Sequence, residues 1–256
     1  MIESMNTQPH KKFKILLIGD ACTDVYQYGT VDRISPEAPI PVFKYSHEES
    51  RAGMAGNVAR NLEALGCDVA FLHSEASTKT RLIDIRSRQQ IVRIDNDVVS
   101  TPITFDTAIP SIYDAIVVSD YNKGTVSYEL IEELRKGFAG PIFIDTKKPN
   151  LQRFKGCVVK INESEYNRCT SYTDQIIVTL GERGAKLISY GHETVFPAPE
   201  VGAVDVTGAG DTFLAAVAVD YLVHEYLAKA IPFAICASSI TVQHLGCYAP
   251  TLEEIK

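Results

Sequence analysis

Four short runs with few polar residues set the strongest limit on how this chain can fold. They are Phe13 to Ile18, Ala115 to Ser119, Pro141 to Ile144 and Cys157 to Ile161. Each ends at an acid or an amide: Asp20 after Gly19, Asp120, Asp145 and Asn162. Such runs read as strands buried on both faces of a parallel sheet. Helical stretches alternate with them. One opens at Asn57, carries Val58, Leu62 and Leu65, and is closed by Gly66. Another spans Tyr128 to Lys136, and two apolar ones span about Ala209 to Val223 and Tyr226 to Gln243. Strand and helix in alternation predict an α/β fold with helices on both faces of a mostly parallel sheet. Ligands of such sheets sit beyond the carboxyl ends of the strands. Asp20 and Asp24 are therefore placed to meet a polyol, since a carboxylate accepts hydrogen bonds from neighbouring hydroxyls. The alternative is a turn-forming role, above all for Asp20, which could cap the turn after the first strand.

Between these runs lies a second kind of segment. Arg33 to Phe43 contains Pro36, Pro39 and Pro41, which forbid a helix or a central strand. Leu82 to Ile85 and Gln90 to Asp95 alternate polar and apolar residues, as strands exposed on one face do. Segments of about 30–50 and 79–99 are expected to form a small lid sheet outside the main one. Ile176 to Leu180 and Ala185 to Ser189 form a hairpin about Gly181–Gly184.

The net charge of −7 disfavours broad nucleic-acid binding. The cysteines have no C-x-x-C pair, and no histidine cluster shows metal spacing, which suits reduced thiols in a cytoplasmic protein. No run approaches membrane-spanning length. The polar start, 1–12, reads as a flexible tail ahead of one domain over 13–256.

The chemistry concentrates in Val204 to Phe213, where Thr207-Gly208-Ala209-Gly210-Asp211 opens an apolar helix. Glycines let backbone N–H groups approach an anion, and a helix N-terminus adds unpaired donors. A carboxylate beside such a pocket, Asp211, is the part needed to take a proton from an attacking hydroxyl. The same residues also describe a glycine turn before a helix with an ordinary first-turn acid. Asn162-x-x-Glu165 reads either as a capping box or as a carboxylate holding Mg²⁺ through water. Asn57 is either a sugar ligand or a first-turn helix residue. No Gly-x-x-x-x-Gly-Lys-Ser/Thr loop, dinucleotide glycine fingerprint or Gly-x-Ser-x-Gly elbow is present.

Taken together, Asp205-x-x-Gly208-Ala209-Gly210-Asp211, Asn162-x-x-Glu165 and Gly19-Asp20 with Asp24 resemble the PfkB (ribokinase-like) carbohydrate kinases. Arg33 to Val42, Gln89 to Asp95 and Ser119 to Gly124 look like the heptose 7-phosphate kinase subgroup, which serves lipopolysaccharide core-sugar synthesis. The resemblance covers about Lys14 to Glu254. It implies a three-layer sandwich with a small β-sheet lid, and ATP and Mg²⁺ as cosubstrate and cofactor. Asp211 would be the base, with Gly208, Ala209 and Gly210 the pocket for phosphoryl charge. Asp20, Asp24, Gly53 and Asn57 would hold the sugar. Lys147, Lys123, Arg51 and Arg81 are candidate partners for a substrate phosphate. Thr179, Gly181 and Thr207 would border ATP, and Asn162 and Glu165 would organise Mg²⁺. A sugar phosphate would be the substrate, with no nucleic-acid or membrane partner, and two copies would pair through lid strands. Another sugar or nucleoside, or a non-catalytic binding role, are the alternative readings.

The chain departs from the family in three places. Met54 stands where a second glycine is usual. Segments are missing near Ser74–Thr78 and near Cys169–Asp174. The nucleotidyltransferase domain of the bifunctional heptose enzymes is absent from this sequence.

Overall fold

The structure is a computed structural model, and it describes residues 12–104 and 111–255. The expected tail therefore lies outside the described residues, save Lys12. In chain order the elements are β1 (Lys14–Gly19), β2 (Ala21–Ile34), β3 (Pro41–Met54), α1 (Ala55–Ala64), β4 (Asp68–Leu72), β5 (Ser77–Asp84) and β6 (Gln90–Asn96). Then come β7 (Ala115–Asp120), α2 (Tyr128–Gly137), β8 (Ile142–Thr146), β9 (Val158–Asn162), α3 (Glu163–Tyr166) and β10 (Gln175–Thr179). The chain closes with β11 (Ala185–Ser189), β12 (His192–Phe196), α4 (Ala209–His224), α5 (Leu227–Thr241) and α6 (Leu252–Ile255).

The main sheet runs β12-β11-β10-β9-β8-β7-β1-β4. From β4 to β10 every pairing is parallel, and the β11–β12 edge is antiparallel. Side chains alternate across the sheet, and here both faces are buried. Ile15 and Leu17 of β1 join Ala115 and Val117 of β7 under α1, α4 and α5. Leu16 and Ile18 join Ile116 and Val118 against Leu130, Ile131 and Leu134 of α2 on the other face. Each such leucine or isoleucine, fully withdrawn from water, contributes roughly 1.5–3 kcal/mol. Helix α4 is buried continuously from Asp211 to Val219, because it lies between the sheet and neighbouring helices. That is why its sequence is apolar all round rather than striped.

A second sheet runs β3-β2-β5-β6. It is larger than the sequence suggested. β2 begins at Ala21 and β3 continues to Met54, so Asp24 and Gly53 stand on paired strands and not in loops. The strand character of Ala21–Ile34 is hard to read because most of it is half-buried, with no clean two-residue alternation. Residues 73–76 alone join β4 to β5, and 167–174 contain no helix. No described helix is long and apolar enough to cross a membrane.

Candidate active site

Helix α4 starts at the carboxyl end of the main sheet, and its first turn carries Asp211, which is 7% exposed. Gly208, the residue before the helix, holds a left-handed φ of 83°, which a side chain resists. A Cβ there would also come within 2.8 Å of Asn57 Nδ2. At Gly210 a Cβ would come within 2.9 Å of Lys160 Nζ. The two glycines thus let Asn57 and Lys160 close on the loop.

The Asp211 carboxylate is held from both sides. Asn57 Nδ2 donates to Oδ2 at 2.8 Å, and the Tyr121 hydroxyl donates to Oδ1 at 3.0 Å. Burial pushes its pKa up to about 6, helped by Asp145 and opposed by Asn57, Lys160 and Tyr121. Burial, with Asp211 beside it, holds the Tyr121 phenol well above its ordinary range, so it stays a neutral donor. Asn57 is 1% exposed, and its Oδ1 has no protein partner. A buried acceptor left open costs free energy unless something occupies it, and a substrate hydroxyl would.

A chain of hydrogen bonds fixes this geometry. Asn61 Nδ2 donates to the Asn57 carbonyl at 2.8 Å, the Thr212 hydroxyl to Asn61 Oδ1 at 2.8 Å, and the Thr241 hydroxyl to Thr212 Oγ1 at 3.0 Å. It ties α1, α4 and α5 together.

Two cavities meet at the loop. The larger, about 890 Å³, is lined by Thr179, Gly181, Glu182, Val206, Ala209 and Gly210, among others. The smaller, about 200 Å³, is lined by Asp120, Tyr121, Asp145, Lys147, Lys160, Asn162, Glu165, Gly208, Gly210 and Asp211. Gly210 belongs to both walls. Ala209 faces only the larger cavity, and Gly208 and Asp211 only the smaller.

The expected residues separate as follows. Asn162 and Glu165 form a complete capping box, in which Glu165 Oε2 accepts the Asn162 N–H, while both line the small cavity. The two readings of that motif are compatible. Lys147 is exposed, with its ammonium 4.5 Å from the centre of the Tyr121 ring. Asp24 Oδ1 pairs with Arg81 at 2.5 Å, and Gly53 is a glycine because a Cβ would overlap the Asp24 carboxylate. Arg51 and Arg81 both lie 5.2 Å from the centre of the Tyr26 ring. Lys123 pairs with Asp97 at 2.7 Å.

Two placements add to the sequence reading. Asp20 is 2% exposed and accepts the backbone N–H groups of Lys123 and Thr125 at 3.0 and 3.1 Å. It braces the loop after β7. Thr207 lines neither cavity, and neither do Asp24, Gly53 or Asn57; the Thr207 N–H and hydroxyl both go to Asp205 Oδ1. Met54 lines neither cavity as well, but it is buried with φ 53°, a conformation that costs a residue with a side chain about 1–3 kcal/mol.

Sequence reasoning missed Lys160 and the Tyr121–Asp211 contact. A lysine inside the apolar run Val158-Val159-Lys160-Ile161 was the available signal for the first. The second joins residues far apart in the chain and left no local pattern.

Residues 157–255 match the family model described as pfkB family carbohydrate kinase. A bifunctional protein HldE of Nitratiruptor sp. is 30% identical over 96% of this chain, which spans 64% of that relative's length. The D-beta-D-heptose 7-phosphate kinase of Bordetella bronchiseptica is 28% identical over 98% of both chains. Among solved structures, Arabidopsis thaliana ribokinase complexed with ribose and ATP matches 95% of this chain and 97% of its own, with TM-score 0.71 and 16% identity. Ribokinase from Thermotoga maritima gives TM-score 0.69 and 19% identity, over 95% of this chain and 98% of its own. The fold is ribokinase-like, the signature loop stands at the mouth of its sheet, and residues 157–255, which include that loop, carry the match to the pfkB family of carbohydrate kinases.

Proposed function

We propose that this protein is an ATP-dependent kinase that converts heptose 7-phosphate to heptose 1,7-bisphosphate. The observation that carries the reading is the position of the Gly208–Asp211 loop, which stands between the large and small cavities with Gly210 in both walls. ATP fits the large cavity, with its terminal phosphate reaching the loop. The sugar hydroxyl is placed beside Asp211 and Asn57, whose Oδ1 is left open. The heptose 7-phosphate kinase relative, matched over nearly its whole length, supports the substrate.

The chemistry follows from the side chains. The sugar hydroxyl oxygen attacks the γ-phosphorus, and its proton passes to Asp211. The bond from the γ-phosphorus to the β,γ-bridging oxygen breaks, and the electron pair leaves with ADP. Asn57 and Tyr121 hold the two carboxylate oxygens so that a lone pair faces the hydroxyl. Backbone N–H groups at the start of α4 stabilise charge on the transferring group. A base near pKa 6 is ionised at neutral pH yet more basic than an exposed aspartate.

Among the described residues no group of three or more acids, histidines or cysteines forms a metal cage. Mg²⁺ beside nucleotide phosphates needs only one or two carboxylates plus water. Glu165, with one oxygen left after capping, fits that requirement, and Asn162 adjoins it. When bound, Mg²⁺ would neutralise phosphate charge. Two copies would pair through the exposed lid sheet, and the reaction belongs in the cytoplasm, where ATP is available.

The test is ADP formation across a panel of sugars and sugar phosphates, with the product identified by phosphorus NMR. The reading expects the highest kcat/KM for heptose 7-phosphate and a second phosphate on carbon 1. Equal rates with unphosphorylated ribose would contradict the substrate assignment.

A further inference from the structure

We infer that Lys160 is a catalytic residue whose ammonium contacts the phosphoryl group in flight and offsets its charge, held in place by Asp145. The inference rests on the kinase reading and adds a residue that the signature motifs do not include.

Lys160 lies on β9, a strand buried on both sides, and is 5% exposed. Its side chain is aimed out of the apolar core and lines the small cavity beside Asp211. Nζ donates to Asp145 Oδ2 at 2.6 Å. An ammonium has three hydrogens, and among the described residues no second acceptor lies within hydrogen-bonding distance. Two donors therefore remain for a ligand. Asp145 stands on the neighbouring strand β8, in register with Lys160, so the pair is set by the sheet and not by a loop. Burial pulls the ammonium's pKa down, but Asp145, with Asp211 and Glu165, outweighs it and keeps Lys160 charged.

The cavity needs this charge. Its lining holds four carboxylates, Asp120, Asp145, Glu165 and Asp211, against Lys147 and Lys160, with Asp120 paired to Lys148 outside the lining. Lys147 is exposed and stacked on the outer face of Tyr121. Lys160 is the inner cation, and it sits where a Cβ of Gly210 would intrude. Gly210 is also a wall of the nucleotide cavity, so the ammonium adjoins the point where the two substrates meet. A lysine there works as a point charge on phosphoryl oxygens, which suits a loose transition state with charge on three oxygens. No proton leaves it: the hydroxyl proton goes to Asp211 and the electron pair to ADP.

The experiment compares wild type with Lys160→Met. Steady-state assays with ATP and heptose 7-phosphate give kcat and both KM values. Calorimetry gives Kd for ADP with Mg²⁺, with and without aluminium fluoride, a mimic of the phosphoryl group in flight. The expected result is a kcat lower by about 10²–10³-fold and a comparable loss of aluminium fluoride-dependent affinity, the range for one lost charge-stabilising donor. Affinity for ADP alone should stay within about threefold, because Lys160 does not touch ADP in this account. Should Lys160→Met melt early through its stranded Asp145, the double variant Lys160→Met/Asp145→Asn removes both charges and is read in the same assays. A variant with kcat and aluminium fluoride affinity near wild type, in an enzyme whose wild type turns over, reduces Lys160 to a structural ion pair and leaves the kinase reading standing. A wild type that neither turns over any sugar phosphate nor binds ADP overturns both.

Discussion

Asp211 combines two conflicting demands. Its burial keeps water from the base but penalises the charged form, so the folded protein holds this carboxylate near pKa 6 against about 3.9 for an unfolded aspartate. A raised carboxylate pKa costs stability at every pH above it. The cost is absent below about pH 4, grows as pH rises through the window from about 4 to about 6, and is complete above it. Asp211→Asn should therefore melt higher than wild type at pH 7.5, by up to roughly 3 kcal/mol of unfolding free energy from the size of the shift. Thermal denaturation of the two proteins checks this, and a lower melting point for the variant would show that the charge is better compensated than its surroundings suggest. The same shift predicts that kcat/KM falls on the acid side with an apparent pKa of about 6. The groups facing the carboxylate are Asn57, Tyr121, Lys160 and Asp145, so changing Lys160 should move that limb upward. A flat profile down to pH 5 would be inconsistent with Asp211 as the base.

At the scale of elements, the start of α4 could be read from sequence because its glycines, acid and apolar run are contiguous. The partners that give it meaning could not. Asn57 lies on α1, Tyr121 follows β7 and Lys160 lies on β9, and only the parallel sheet brings their ends together. Strands β1, β7, β8 and β9 were legible because they are buried on both faces. Strand β2 was not, since its half-buried faces leave no period. The capping box of Asn162 and Glu165 shows how a local motif can serve helix and cavity at once.

The two signature glycines should respond differently to substitution. Gly208→Ala forces a side chain into φ 83° and against Asn57. It should cost about 1–2 kcal/mol, or a fall of roughly 2–8 °C in Tm. Gly210→Ala meets only the flexible end of Lys160. Its Tm should stay near wild type, aided by the better helix propensity of alanine, while kcat falls. Melting curves and initial rates on both variants decide the matter. Equal loss of stability in the two would contradict the contacts described.

For the whole molecule, the main sheet is a rigid platform with its site at one end, and the second sheet stands over that end. The edges of the small sheet are β3 and β6, with Tyr45, Val92 and Ile94 exposed upon them. Open edges invite pairing with another chain, and a two-fold pairing would cover them. Light scattering at micromolar concentration should therefore give the mass of a dimer, and Ile94→Asp should shift it toward the monomer. A wild-type monomer under those conditions would remove the dimer from the account. The shortened connections at 73–76 and 167–174 lie away from the Gly208–Asp211 loop in sequence, and neither contributes a lining residue to the two cavities.

The central claim, that Asp211 takes the hydroxyl proton as the phosphoryl group crosses the loop, is tested most directly by single-turnover transfer from ATP to heptose 7-phosphate in wild type and Asp211→Asn. The account predicts ATP binding within a few-fold of wild type and a transfer rate lower by about 10²–10⁴-fold, the usual loss for a general base. A transfer rate within a few-fold of wild type would contradict it.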